Sequence, residues 1–169
     1  MNTIVSQIEN PFPGLRPFKI EESHLFFGRE GQTDEVLMKL SQHRFVGIIG
    51  PSGSGKSSFV YCGALPILYG GFLTETGPNW EVIVTRPGNN PVENLGEAIL
   101  EHDPGYDVAS YEDRKVKRTI ISTLMKSSSL GIVEAIQQTR KATGKNYLIL
   151  VDQFEELFRF KDDSLNSDS

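Results

Sequence analysis

Residues 50–58 read Gly50, Pro51, Ser52, Gly53, Ser54, Gly55, Lys56, Ser57, Ser58 and fit G-x-x-x-x-G-K-[ST] at every fixed position. This spacing does one physical job. Glycines let the backbone wrap a chain of phosphates with its N–H groups turned inward, in conformations that a Cβ obstructs. The helix fed by such a loop adds a partial positive charge at its N-terminus. Lys56 is set to reach the β- and γ-phosphates, and the Ser57 hydroxyl to ligate Mg²⁺. The chemistry predicted is binding of a nucleoside triphosphate.

A second group with chemical potential stands well downstream. Tyr147, Leu148, Ile149, Leu150, Val151 and Asp152 form an apolar run ending in an acid, the Walker B pattern. In a parallel sheet the carboxyl ends of neighbouring strands lie together, which predicts that Asp152 comes close to Ser57 and the metal. Gln153 follows, where many ATPases carry a glutamate that polarises the attacking water. Glu155 and Glu156 are the candidate bases, since one helical turn can bring a side chain back toward the site. Both also suit a solvated helix start, where acids complement the dipole.

These residues need elements to hold them. The run 44–49 reads as a buried strand before the loop, and Phe59, Val60, Ala64, Leu65 and Leu68 give an apolar helical face after it. Pro66 is placed to bend or end that helix, and Gly70-Gly71 to stop it. Residues 30–41 read as a helix with Val36, Leu37 and Leu40 on its apolar side. Trp80–Thr85 reads as a strand. Asn90 as cap, Pro91 in the first turn and Glu93 at the capping-box position open the next helix. Residues 112–126 read as another. Ser129–Thr143 reads as a third, with Leu130, Val133, Ile136 and Arg140 on one face and Gly144 as its stop. Alternating strands and helices predict an α/β fold with a mostly parallel sheet.

The totals narrow the function classes. The chain has 169 residues, 38% hydrophobic and 23% charged, with a net charge of −5. That composition suits a globular domain and argues against a broad basic surface for nucleic acid. Lys115, Lys117 and Arg118 are the only dense basic cluster and read as a solvated helical face. Cys62, the single cysteine, reads as a small core residue and fits a reducing compartment. His24, His43 and His102 lack zinc-site spacing. No run reaches the length of a membrane span and no signal peptide opens the chain, so the cytoplasm is expected. Residues 1–27 read as an extended, aromatic-rich segment packing on the domain. Residues 28–160 read as the nucleotide-binding domain and 161–169 as a disordered tail.

Asn10 to Phe18 (Asn-Pro-Phe-Pro-Gly-Leu-Arg-Pro-Phe) and Phe26-Phe27-Gly28-Arg29-Glu30 are the most specific stretches. With residues 50–58, Arg86-Pro87-Gly88 and residues 151–158, they closely resemble the novel STAND family of P-loop NTPases, signal-transduction ATPases of mostly bacterial origin. The resemblance covers nearly the whole chain in order. It implies a three-layer P-loop fold, ATP and ADP with Mg²⁺ as ligands, and a switch in which ADP holds a closed monomer and ATP an open, assembling state. It places Gly28 and Arg29 near the adenine. It also implies self-association and C-terminal repeat or effector domains in the full-length protein. The family continues past Walker B with a sensor strand, a further strand and a lid. Here a polar tail follows Phe160, so the chain reads as an N-terminal fragment, and hydrolysis by it alone is not expected. No arginine finger is assigned; Arg86, Arg140 and Arg159 are the candidates. The competing readings are a nucleotide-binding interaction domain without turnover and a small P-loop kinase. The kinase is disfavoured, because the chain has no room for an acceptor site and an arginine-rich lid.

Overall fold

The computed structural model describes residues 13–14, 16–71, 77–139 and 145–159. Two compact units meet in sequence between Asn79 and Trp80.

The first unit is helical. A 3₁₀ helix, Ile20–Leu25, precedes α1, Glu30–His43. Arg44 ends α1 in the left-handed region (φ 56°), its N–H donating to Leu40 O. A continuous helical run then follows the glycine loop. It consists of α2, Lys56–Ser58, a π-helical segment, Phe59–Ala64, and α3, Leu65–Tyr69. Pro66 does not end this run. The wider π turn before it accommodates a residue that has no N–H to donate. The run stops at Gly70 and Gly71, as its sequence predicts. Leu37 of α1 and Phe59, Cys62, Ala64, Leu65 and Leu68 of the run are buried. Cys62 is therefore a core residue; its Sγ donates to Lys19 O at 2.9 Å, and burial pushes the thiol up.

The run 44–49 corrects the sequence reading. Residues 45–50 form no strand and pair with no strand among the described residues. Phe45 is 78% exposed and Ile49 96%. Apolar character makes a segment fit for a sheet interior, but a strand also needs a partner for its N–H and C=O groups, and among the described residues of the first unit there is no strand to pair with.

The second unit is a mixed α/β layer pair. β1, Trp80–Thr85, lies parallel to β2, Asn146–Val151, in the register Trp80 opposite Asn146 through Thr85 opposite Val151. Between them run α4, Pro91–Leu100, α5, Tyr111–Ser127, and α6, Gly131–Thr139. Ile83 packs with Ala98, Ile99, Leu100, Tyr106, Ile121 and Ala135 in one core cluster. The sheet among the described residues has two strands and is parallel. This agrees with the α/β reading at that level, and the three-layer arrangement is not seen in it.

Local signals hold in part. Ser110 caps α5 by accepting the Asp113 N–H at 3.1 Å. Asn90 stands at the cap of α4 but makes no side-chain cap bond, and Glu93 pairs with Lys126 at 2.7 Å instead of closing a capping box. On α6 the buried face is Gly131, Ala135 and Thr139, while Leu130 and Val133 are exposed. Of the predicted face Ile136 does pack against the core, and the rest is displaced because Gly131 sits where α6 approaches the backbone of α5. Arg140 and Gly144 lie outside the described residues, as do residues 1–12 and the tail from 160 onward.

Candidate functional site

Residues 50–58 form a compact loop in the first unit. Gly53 and Gly55 have φ of 77° and 80°, where a side chain is strained, and these two positions turn the backbone back on itself. Ser54 N–H donates to Pro51 O at 3.2 Å, a tight turn within the loop. Helix α2 starts at once, with Phe59 N–H donating to Gly55 O at 2.8 Å. Lys56 Nζ reaches back over the loop to Gly50 O at 2.9 Å and Pro51 O at 3.1 Å. Pro51, Ser52 and Gly53 are exposed along the rim. The Ser58 hydroxyl accepts the Phe18 N–H at 3.1 Å.

The Gly28-Arg29 segment is brought to this loop. Arg29 Nη2 donates to Ser54 O at 3.2 Å, and its Nη1 to Gln32 Oε1 at 3.3 Å. Gly28, at φ 85°, donates its N–H to Glu30 Oε1 at 3.0 Å. That bond holds the Glu30 carboxyl below the usual carboxylate range. Glu30 thus positions Gly28, a part that only its place two residues on could have signalled.

Asp152 lies in the second unit, directly after β2. Its N–H donates to Thr85 O at 2.9 Å, extending the parallel pairing by one residue. Its side chain is only 10% exposed, and Oδ2 accepts from Arg86 Nη2 at 3.0 Å and Nε at 3.3 Å. Gln153 takes a left-handed turn (φ 57°), after which Glu156, Leu157 and Phe158 bond back to Gln153, Phe154 and Glu155. Glu156 Oε2 accepts the Gly88 N–H at 3.0 Å. Glu155 is exposed, and its carboxylate makes no hydrogen bond among the described residues. Asn94 Nδ2 donates to Arg86 O and Pro87 O, at 3.2 and 2.8 Å, and so ties the Arg86-Pro87-Gly88 corner to α4. Arg159 is exposed.

Two members of the basic cluster on α5 pair internally, and Lys115 is exposed. Lys117 pairs with Asp103. Arg118 pairs with Glu97 at 2.6 Å and donates to Tyr106 Oη at 2.7 Å. The bond to Glu97, with that to Tyr106, holds the Arg118 guanidinium above its usual range. Among the described residues no group of three or more His, Cys, Asp or Glu side chains gathers to hold a metal. No helix among them is long and apolar enough to cross a membrane.

A family model described as Novel STAND NTPase 1 matches residues 11–168. A curated relative, the spermidine/putrescine import ATP-binding protein PotA of Bacteroides thetaiotaomicron, is 31% identical over 116 residues. That match covers 63% of this chain, and the chain spans about a quarter (24%) of the relative's length. No solved structure matches the chain.

Proposed function

The chain belongs to the Novel STAND NTPase 1 family, and we propose on that premise that it binds ATP and ADP with Mg²⁺ as the nucleotide switch of a signalling protein. One observation carries the reading: the loop 50–58 combines two left-handed glycines, an ammonium lying on its own carbonyls and a helix directly behind it. A triphosphate offers Lys56 charged acceptors in place of the two carbonyls, and charge-assisted bonds are the stronger. The backbone of Gly50, Pro51, Ser52, Gly53, Ser54 and Gly55 cradles the phosphates, with Ser58 beyond it. Gly28 and Arg29 hold the base side.

Mg²⁺ is a hard cation that takes oxygen ligands, and the Ser57 hydroxyl and the Asp152 carboxylate are the oxygen donors proposed for it. Bound Mg²⁺ would neutralise charge across the β- and γ-phosphates. Of the two candidate bases, Glu155 is favoured because its carboxylate is exposed, whereas Glu156 is held by the Gly88 N–H. ATP binding would favour self-association, and ADP the monomer. The domain is taken as cytoplasmic, coupled to repeat or effector domains in a longer protein.

The pairing of Arg86 with Asp152 favours a second reading, a domain that binds nucleotide without turnover. Calorimetric titration of the purified chain with ATP and ADP, with and without Mg²⁺, tests the first step. Saturable, Mg²⁺-sensitive binding supports the proposal, and a folded chain that binds neither nucleotide sinks it. Phosphate release that is lost in Glu155→Gln distinguishes turnover from binding alone.

A further inference from the structure

Most carbonyls of the loop 50–58 that accept a hydrogen bond do so from within the loop or its helix. Gly50 O and Pro51 O accept from Lys56 Nζ, Pro51 O also accepts the Ser54 N–H, and Gly55 O accepts the Phe59 N–H. Ser54 O is the exception. Its partner among the described residues is Arg29 Nη2, at 3.2 Å, from the start of α1. The Ser54–Gly55 peptide stands between two left-handed glycines, Gly53 and Gly55, whose missing side chains leave the backbone free to rotate. In a trans peptide the C=O and the following N–H point in opposite directions. The bond to Ser54 O therefore turns the Gly55 N–H away from the guanidinium. That N–H makes no hydrogen bond among the described residues.

Arg29 is itself held. Its Nη1 donates to Gln32 Oε1 at 3.3 Å, and its carbonyl accepts the N–H and the hydroxyl of Thr33, at 3.1 and 3.2 Å. Thr33 is buried beside Gly63, where a Cβ would lie 2.9 Å from Thr33 Oγ1. Gly63 belongs to the π-helical segment of the run behind the loop. The start of α1 and the helix that follows the loop are thus packed together, and the guanidinium reaches from one to the other.

We propose that Arg29 is a positioning residue for the phosphates: acting through Ser54 O, it holds the Gly55 N–H open toward them. The inference rests on the nucleotide reading of the loop and adds to the place of Arg29 at the base side. A donor already oriented before binding spares the ligand the cost of ordering it. The guanidinium needs no contact with the ligand for this role.

The test uses the whole chain with ATP and with inorganic tripolyphosphate, which has the phosphates and no base. Arg29 makes no side-chain cap bond to α1, so Arg29→Ala leaves that helix its start. The variant is expected to bind both ligands roughly fivefold more weakly by calorimetry, on the scale of one hydrogen bond. In the ligand-free chain the NMR order parameter of the Gly55 N–H is expected to fall from about 0.85, typical of rigid backbone, toward about 0.6. An unchanged order parameter overturns the proposal, because a cation acting by charge alone leaves the empty loop as it is. A loss confined to ATP also overturns it, since Arg29 would then serve the base alone. Both of those results leave the nucleotide reading standing. A folded wild-type chain that binds neither ATP nor tripolyphosphate overturns that reading, and this inference with it.

Discussion

Arg86 donates through Nη2 and Nε to one oxygen, Oδ2, of Asp152. The acid proposed to serve the metal is therefore already neutralised by a cation from the end of the neighbouring strand. Removing Arg86 leaves a mostly buried carboxylate without that partner. Arg86→Ala is expected to cost about 1 kcal/mol without Mg²⁺, a modest figure because the guanidinium is half exposed. Millimolar Mg²⁺ is expected to raise the melting temperature of the variant more than that of the wild type. Equal Mg²⁺ responses would remove Asp152 from the metal site.

Lys56→Ala removes the one ammonium that reaches over the loop. A charge-assisted hydrogen bond contributes about 1.5–3 kcal/mol. ATP affinity is therefore expected to fall roughly tenfold to a hundredfold by calorimetry, and ADP affinity by less, since ADP lacks the γ-phosphate. Unchanged ATP affinity would show that the loop does not hold the phosphates.

Gly131 and Gly31 make a matched pair. A Cβ on Gly131 would lie 2.3 Å from Leu124 O and 2.7 Å from Met125 O, both backbone atoms of α5 that cannot swing aside. Gly131→Ala is expected to destabilise the chain by about 3 kcal/mol in urea unfolding. A Cβ on Gly31, exposed in α1, meets nothing within 4 Å. Gly31→Ala is expected to be neutral or to stabilise by up to about 1 kcal/mol.

Glu22 predicts an acid-side loss of stability. Hydrogen bonds from the Arg16 guanidinium, at 2.6 and 2.7 Å, and then from the Lys19 N–H lower its carboxyl from 4.5 to about 2. A folded-state value below the unfolded one means that its contribution is complete above about pH 4.5 and is lost as pH falls toward 2. Glu22→Gln is expected to flatten the stability profile in that window and leave the profile above pH 6 parallel to wild type. An NMR titration of the Glu22 carboxyl near 4.5 would contradict the assignment.

Some of this was legible in the sequence and some was not, for identifiable reasons. Trp80–Thr85 emerges as a strand with the predicted bounds, because β-branched residues and the Arg86-Pro87-Gly88 corner are local signals. Residues 44–49 look equally strand-like, but a strand also needs a neighbour, and no local pattern reports one. On α6 the pattern of large apolar residues locates Ile136 but not Gly131 and Ala135, since close approach of a helix to its neighbour selects small residues. The contacts inside residues 50–58 join neighbours in the chain, so spacing alone suggests them. The Arg86–Asp152 pair joins the ends of two strands separated by three helices, and no spacing rule points to it. Lys117 and Arg118 stand on the solvated face that their sequence suggests, and they also tie the segment from Asp103 to Tyr106 against α4 and α5, which no local pattern reports.

The parallel pairing of β1 with β2 also has a kinetic consequence. The helical contacts α4 with α5 and α5 with α6 lie between sequence neighbours and close small loops, whereas Trp80 meets Asn146 only after the whole intervening chain is drawn in. Zipping of the strands is therefore expected to be the late event in folding of this unit. Asp152, whose N–H completes the ladder at Thr85 O, takes its place at the end of that event. A nascent or partly unfolded second unit would carry its helices without Asp152 in position, so the metal binding proposed for that acid would mature only with the last stage of folding.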